Sequence, residues 1–180
     1  MESIYRFVIF RFIELRLVHM CGRYYRRSDK QRIGEAFNLG SLPPDFIFPD
    51  WNDNFAPNTF QPVIRNARET GERELVLMCW GMVPFLIAYW AKDPTIGLRT
   101  INGMAETITA APAFREAIKY RRCLMPANAF YEWVRLDATT KQPFAIAMKD
   151  SKPYALRRSL GAVEGSQGRN RIAHVHGHHD

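Results

Sequence analysis

The sequence predicts an α+β fold with an antiparallel or mixed sheet, and three observations predict it. Strand-like runs outnumber helical segments, the amphipathic helices are few and short, and the two element types do not alternate in the βαβ order of a parallel sheet. Taking the elements in order, Ser28 precedes a segment with Ile33 and Phe37 on one face and Gly40 as a stop, which reads as an N-capped helix of about three turns. Strand-like runs follow at Pro62 to Arg65 and Glu74 to Trp80. A second helix is expected over 112–120, where Pro112 suits the first turn and Phe114 and Ile118 share one side. Arg122 to Met125, Phe130 to Val134 and Phe144 to Met148 read as further strands. There is no internal repeat and no glycine-rich phosphate loop.

Composition bounds the function. The 180 residues are 47% hydrophobic and 24% charged, which fits one globular domain rather than a coil or a disordered tail. Lys and Arg total 25 against 18 Asp and Glu, a balance of +7 that favours an anionic partner, nucleic acid before an anionic membrane. Three scattered cysteines, Cys21, Cys79 and Cys123, form no Cys-x-x-Cys pair, so neither a disulfide framework nor a zinc knuckle is indicated and a reducing, cytoplasmic setting is expected. No run reaches the ~18 apolar residues of a membrane span. Arg11, Glu14 and Arg16 interrupt the opening stretch, Met1 to His19, before it can act as a signal peptide.

Histidine and aromatic residues divide the chain into three zones. Residues 20–156 hold all but four of the 23 aromatics and no histidine, whereas residues 157–180 hold no Phe, Tyr or Trp and four of the five histidines. Residues 1–19 are therefore taken as an N-terminal extension with a start assigned too early, 20–156 as the domain, and 157–180 as a separate tail. The clustered tail histidines would ordinarily suggest a metal site.

Four constellations can carry chemistry. Cys21 follows Met20, and if translation began there, removal of the methionine would leave a cysteine with a free α-amine. Such an amine has a pKa of ~7.7–8.0 against ~10.4 for lysine, so it attacks an aldehyde readily at neutral pH, and the adjacent thiol can close on the imine to give a thiazolidine. The competing reading is an internal cysteine used for packing. Asn102 lies four residues before Glu106 in a loop-like stretch. Glu132 lies among large aromatics whose desolvation would make it a general acid; alternatively it is a paired surface Glu on an edge strand. Trp80, beside Gly81 and near Pro84, can stack on a base or fill a core.

Together, Met20-Cys21-Gly22-Arg23, Asn54-Phe55-Ala56-Pro57, Trp80-Gly81-Met82-Val83-Pro84, Ile101-Asn102 with Ala105-Glu106-Thr107, and Arg122-Cys123 through Glu132-Trp133 resemble the SRAP (SOS response-associated peptidase) family of abasic-site processing proteins. Five separated motifs appear in the family's order. The resemblance implies a single domain with a β-barrel-like core, acting as a monomer without metal or cofactor on single-stranded DNA that carries abasic sites, in the response to DNA damage. It implies a covalent DNA–protein cross-link in which Cys21 is the nucleophile, Asn102 positions the reacting centre and Glu132 supplies acid and base help. Arg23 would contact DNA, and Trp80 and Trp133 would support flanking bases. It also implies an autopeptidase activity that removes the leading residue.

The chain departs from the family pattern in two places. After Asn102 the family has Ala-Arg, whose Arg holds a DNA phosphate, whereas Gly103 and Met104 stand here. After Leu156 the family's Gly-Leu-Trp-Glu strand, Thr-rich strand and later His are missing. A shifted reading frame accounts for this. Back-translating Arg158 to Gly165 as CGG TCT CTG GGA GCG GTG GAA GGA and reading one base later gives Gly-Leu-Trp-Glu-Arg-Trp-Lys, and permitted codons carry the match on into the Thr-rich strand. Residues from about 157 onward are therefore expected to be out of frame, and their histidines are not taken as the family's His. A cysteine peptidase, a non-catalytic single-strand binder and a defective truncated product remain the competing readings.

Overall fold

The computed structural model describes residues 6–7, 22–40, 42, 46–81, 101–104, 106–160 and 171–176. In chain order they form β1 (Arg6–Phe7), β2 (Tyr24–Arg26), α1 (Lys30–Ala36), β3 (Asn52–Phe55), β4 (Phe60–Asn66), β5 (Arg73–Trp80), β6 (Asn102–Met104), α2 (Arg115–Tyr120), β7 (Arg122–Ala127), β8 (Ala129–Arg135), β9 (Lys141–Ala147), β10 (Tyr154–Leu160) and β11 (Arg171–His176). One sheet runs β1-β9-β8-β2-β3 and the other β10-β7-β4-β5-β11-β6. Both mix antiparallel ladders with parallel pairs at β1–β9, β11–β5 and β11–β6. The expected α+β class with a mixed-sheet, barrel-like core is what forms.

The two sheets share a core. Tyr24 and Phe55 from the first meet Val63, Met78, Trp80, Cys123, Met125, Ala127 and Leu156 from the second. The chain passes from the second sheet to the first at Asn128, the single residue between β7 and β8. Ala127 and Ala129 on either side are fully buried, leaving room for the crossing. The Asn128 amide oxygen accepts from the backbone N–H of Arg27 (2.8 Å) and Ser28 (2.9 Å), while its own backbone N–H donates to the Tyr25 carbonyl (3.0 Å). The crossing and the end of β2 are therefore held by one residue.

Local chemistry explains where the helices and strands depart from expectation. The cap of α1 is Asp29, the residue next to Lys30, whose side chain accepts from Arg32 N–H at 2.8 Å, while Ser28 stands one residue further out and donates its N–H to Asn128. The helix is two turns rather than three. The second helix begins at Arg115 because residues before it form turns, with Phe114 and Arg115 N–H both donating to the Ala111 carbonyl. Strands β1, β2, β3 and β6 were not expected, being too short to show a period in the sequence, and neither were the longer β10 and β11, which cross or follow the boundary read at Leu156. β10 continues past Leu156, pairing Arg157 with Leu124, Arg158 with Cys123 and Ser159 with Arg122.

Candidate functional site

Cys21 lies outside the described residues, as do 20, 82–84 and 105 of the same motifs. What the structure describes is the frame beside it. Gly22 and Arg23 lead directly into β2, which pairs Tyr24 with Phe130 and Tyr25 with Ala129. The Arg23 carbonyl accepts from Tyr131 N–H at 3.0 Å. The segment entered from Cys21 thus lies along β8 where Glu132 stands.

Glu132 is 2% exposed on a strand flanked by β9 and β2, so it is not a surface carboxylate on an edge strand. Strand alternation sorts its neighbours. Phe130 packs on the shared core, whereas Tyr131 and Trp133 pack with Tyr25, Ala129 and Ala145 on the other face. Glu132 therefore points to the Phe130 side and Trp133 away from it. The two residues adjoin in sequence but serve opposite faces of the sheet.

Trp80 is 1% exposed, with its ring edge-on to Tyr24 at 5.6 Å. In this place the indole fills the core and offers no face to a base. Its backbone fixes a loop, since Trp80 N–H donates to the Thr59 carbonyl (2.9 Å) and its carbonyl accepts from Asn58 N–H (2.7 Å). Gly81 follows at φ 137°, a conformation that a residue with a Cβ adopts only under strain.

Arg23 reaches the Asn54 side-chain oxygen from Nη1 at 3.0 Å, joining the first two motifs. Tyr24 joins them again below the surface, donating its hydroxyl to Gln61 at 2.6 Å; Gln61 then donates to the Thr59 hydroxyl (2.9 Å), which donates to the Ala56 carbonyl (2.6 Å). Arg27 grips Asp53 through two N–H donors at 2.8 and 2.9 Å and holds that carboxyl below its ordinary pKa. Arg26 is 1% exposed, its guanidinium 4.3 Å from the Phe48 ring centroid and donating to the Ser28, Pro49 and Asp50 carbonyls; burial lowers its pKa.

Asn102 belongs to the second sheet, on edge strand β6, half-buried and registered opposite His174 of β11. The glycine after it packs closely against Ile108. A Cβ on Gly103 would lie 2.9 Å from Ile108 Cδ1, so the Ala of the family pattern fits only if Ile108 gives way. Among the described residues no group of His, Cys, Asp and Glu is placed to hold a metal ion. No helix among them is long and apolar enough to cross a membrane.

The frame brings together the Arg23, Asn54, Trp80 and Glu132 motifs on one pair of sheets. The model of the SOS response associated peptidase family matches residues 20–168. The chain belongs to the SRAP family. It is similar to the abasic site processing protein YoqW of Bacillus subtilis (strain 168), 38% identical over 137 residues that cover 76% of this chain and 58% of that protein. It is also similar to the abasic site processing protein HMCES of Rattus norvegicus, 32% identical over 152 residues that cover 74% of this chain and 42% of that one. The chain thus spans less than two thirds of the length of these SRAP relatives. In fold it resembles a protein from Bacteroides thetaiotaomicron with a TM-score of 0.70 at 21% identity, over 86% of this chain and 67% of that one. The SRAP resemblance read from the motifs is thereby borne out.

Three residues of the site frame carried no signal that their sequence context made plain. Gln61 is a polar residue inside an apolar run, and such a residue marks a buried hydrogen-bonding position. Asn128 and Arg26 look like ordinary loop and surface residues until the fold surrounds them.

Proposed function

We propose that this chain captures abasic sites in single-stranded DNA as a covalent cross-link through Cys21, once Cys21 is the first residue. The α-amine adds to the aldehyde of the ring-opened deoxyribose and water leaves, forming an imine. The thiol sulfur then adds to the imine carbon, its proton passes to the nitrogen, and a thiazolidine closes. Glu132 supplies the proton for the departing hydroxyl and accepts one in the next step, within the 10²–10⁴-fold range of a positioned acid or base. Asn102 positions the reacting centre, Arg23 meets a phosphate, and Trp133 supports a flanking base. Trp80 contributes by holding the 56–59 loop rather than by stacking. The protein acts in DNA-damage repair in the cytoplasm as a monomer.

One observation carries the reading: a carboxyl 2% exposed on a central strand, beside the segment that leads from Cys21. Protein beginning at Cys21, incubated with abasic single-stranded DNA and run on a denaturing gel, is expected to give a shifted band that vanishes on Cys21→Ala. Protein beginning at Met1 is expected to give none until it is processed. Binding without a covalent band would overturn the reading. The family description as a peptidase favours a second activity, removal of the residues before Cys21 by its own thiol, which mass spectrometry in the absence of DNA would record as loss of the leader. Residues 157–180 are read as an out-of-frame segment, and sequencing the locus without finding a missing or extra base near codon 157 would remove that proposal.

A further inference from the structure

Helix α2 ends in Lys119 and Tyr120 and passes through Arg121 to Arg122, the first residue of β7. Lys119, Tyr120 and Arg122 are exposed, Tyr120 at 68%, and the Lys119 ammonium lies 4.9 Å from the Tyr120 ring centroid. On β10, Ser159 stands opposite Arg122 and Arg157 opposite Leu124. Arg122 and exposed Arg157 are therefore diagonal neighbours on one face of the ladder, roughly 7–8 Å apart.

None of Lys119, Arg121, Arg122 and Arg157 makes an ion pair among the described residues, and Glu116, the carboxylate on the same helix, is paired with Arg115. Cations in excess of the carboxylates beside them repel one another and attract a polyanion. The exposed ring decides which polyanion, because a tyrosine among cations matches a strand of unpaired bases on a phosphate backbone. An acidic polypeptide would use the charges and leave the ring idle.

We propose that Lys119, Tyr120 and Arg122 form a second contact for single-stranded DNA, with the cations on phosphates and Tyr120 stacked on a base. This rests on the proposed reading of the chain as a single-strand DNA protein and extends its footprint. Arg122 opens β7, so roughly 20 Å of strand separates it from the crossing at Asn128 that leads to Glu132. Only a strand longer than the lesion and its nearest neighbours reaches both places.

The test uses the full chain with short and long oligothymidylates carrying one abasic site, and binding measured across a salt series. Lys119→Ala with Arg122→Ala is expected to lower the log–log salt slope on the long strand by about 1.4, at ~0.7 per phosphate contact, and to leave the short strand unchanged. Tyr120→Ala is expected to weaken the long strand about ten-fold. An unchanged slope and affinity on the long strand would overturn the second contact while leaving the proposed function intact. Displacement of the long strand by polyglutamate, with no effect of Tyr120→Ala, would also overturn it and mark the patch as a site for acidic polypeptide. Failure of wild-type protein beginning at Cys21 to cross-link the short abasic strand, with the salt slope on the long one still dependent on Lys119 and Arg122, would sink the covalent reading and leave the patch standing.

Discussion

Glu132 and Trp133 adjoin in the chain, yet the pleat turns one toward the shared core and the other away from it. An amide in that place has no acidic proton to give in the reaction proposed for Glu132. Glu132→Gln in protein beginning at Cys21 is expected to slow adduct formation by about 100-fold or more while strand binding persists, as a quenched time course would show. Gly103 is decided by a different force. A methyl at Gly103 meets the flexible end of Ile108, 2.9 Å away, which can turn aside, so Gly103→Ala is expected to change stability by no more than about 1 kcal/mol in urea unfolding. Ile108→Val, which deletes that terminal methyl, should remove what cost there is.

Elements are held at their ends more than along their lengths. β2 has three residues, too few for ladder bonds alone to fix it, and Asn128 binds two successive N–H groups where it ends. Asn128→Ala leaves those donors without their acceptor and is expected to cost ~1–3 kcal/mol, read as a lower urea midpoint at unchanged slope. The turn from β8 to β9 is fastened in the same way. Asp137 accepts from Thr139 and Thr140 N–H at 2.8 and 2.7 Å and from the Thr139 hydroxyl at 3.0 Å, which holds its pKa at about 2. A depressed carboxyl stabilises the fold above its ordinary value of 3.8, and that contribution fades as pH falls toward 2. Following the Asp137 carboxyl by NMR should give a midpoint well below 3.8, and Asp137→Asn should remove the titration.

At the scale of the whole molecule, two sheets are joined where Tyr24 of one donates to Gln61 of the other at 2.6 Å, both fully buried. Tyr24→Phe leaves the Gln61 acceptor dry and is expected to cost ~1–3 kcal/mol, and Gln61→Leu a similar amount. The double variant should cost less than their sum, since deleting both partners leaves neither stranded; additive losses would show that the bond does not couple the sheets.

The fold class was legible in residues 60–80 and 122–148, where long strands keep a readable apolar pattern, and the family in five motifs whose order survives any folding. The +7 balance and the residue types at 21, 102 and 132 are likewise properties of the chain alone. Position was not legible there. Whether Glu132 is buried or at an edge, whether Trp80 faces a base or the core, and whether Arg26 meets water or three carbonyls each depend on chain brought from tens of residues away. One-dimensional order fixes which chemical groups are present and how far apart the backbone can hold them. Only the pairing of strands, which sets which side of a sheet each group occupies, settles what surrounds it and so what it can do.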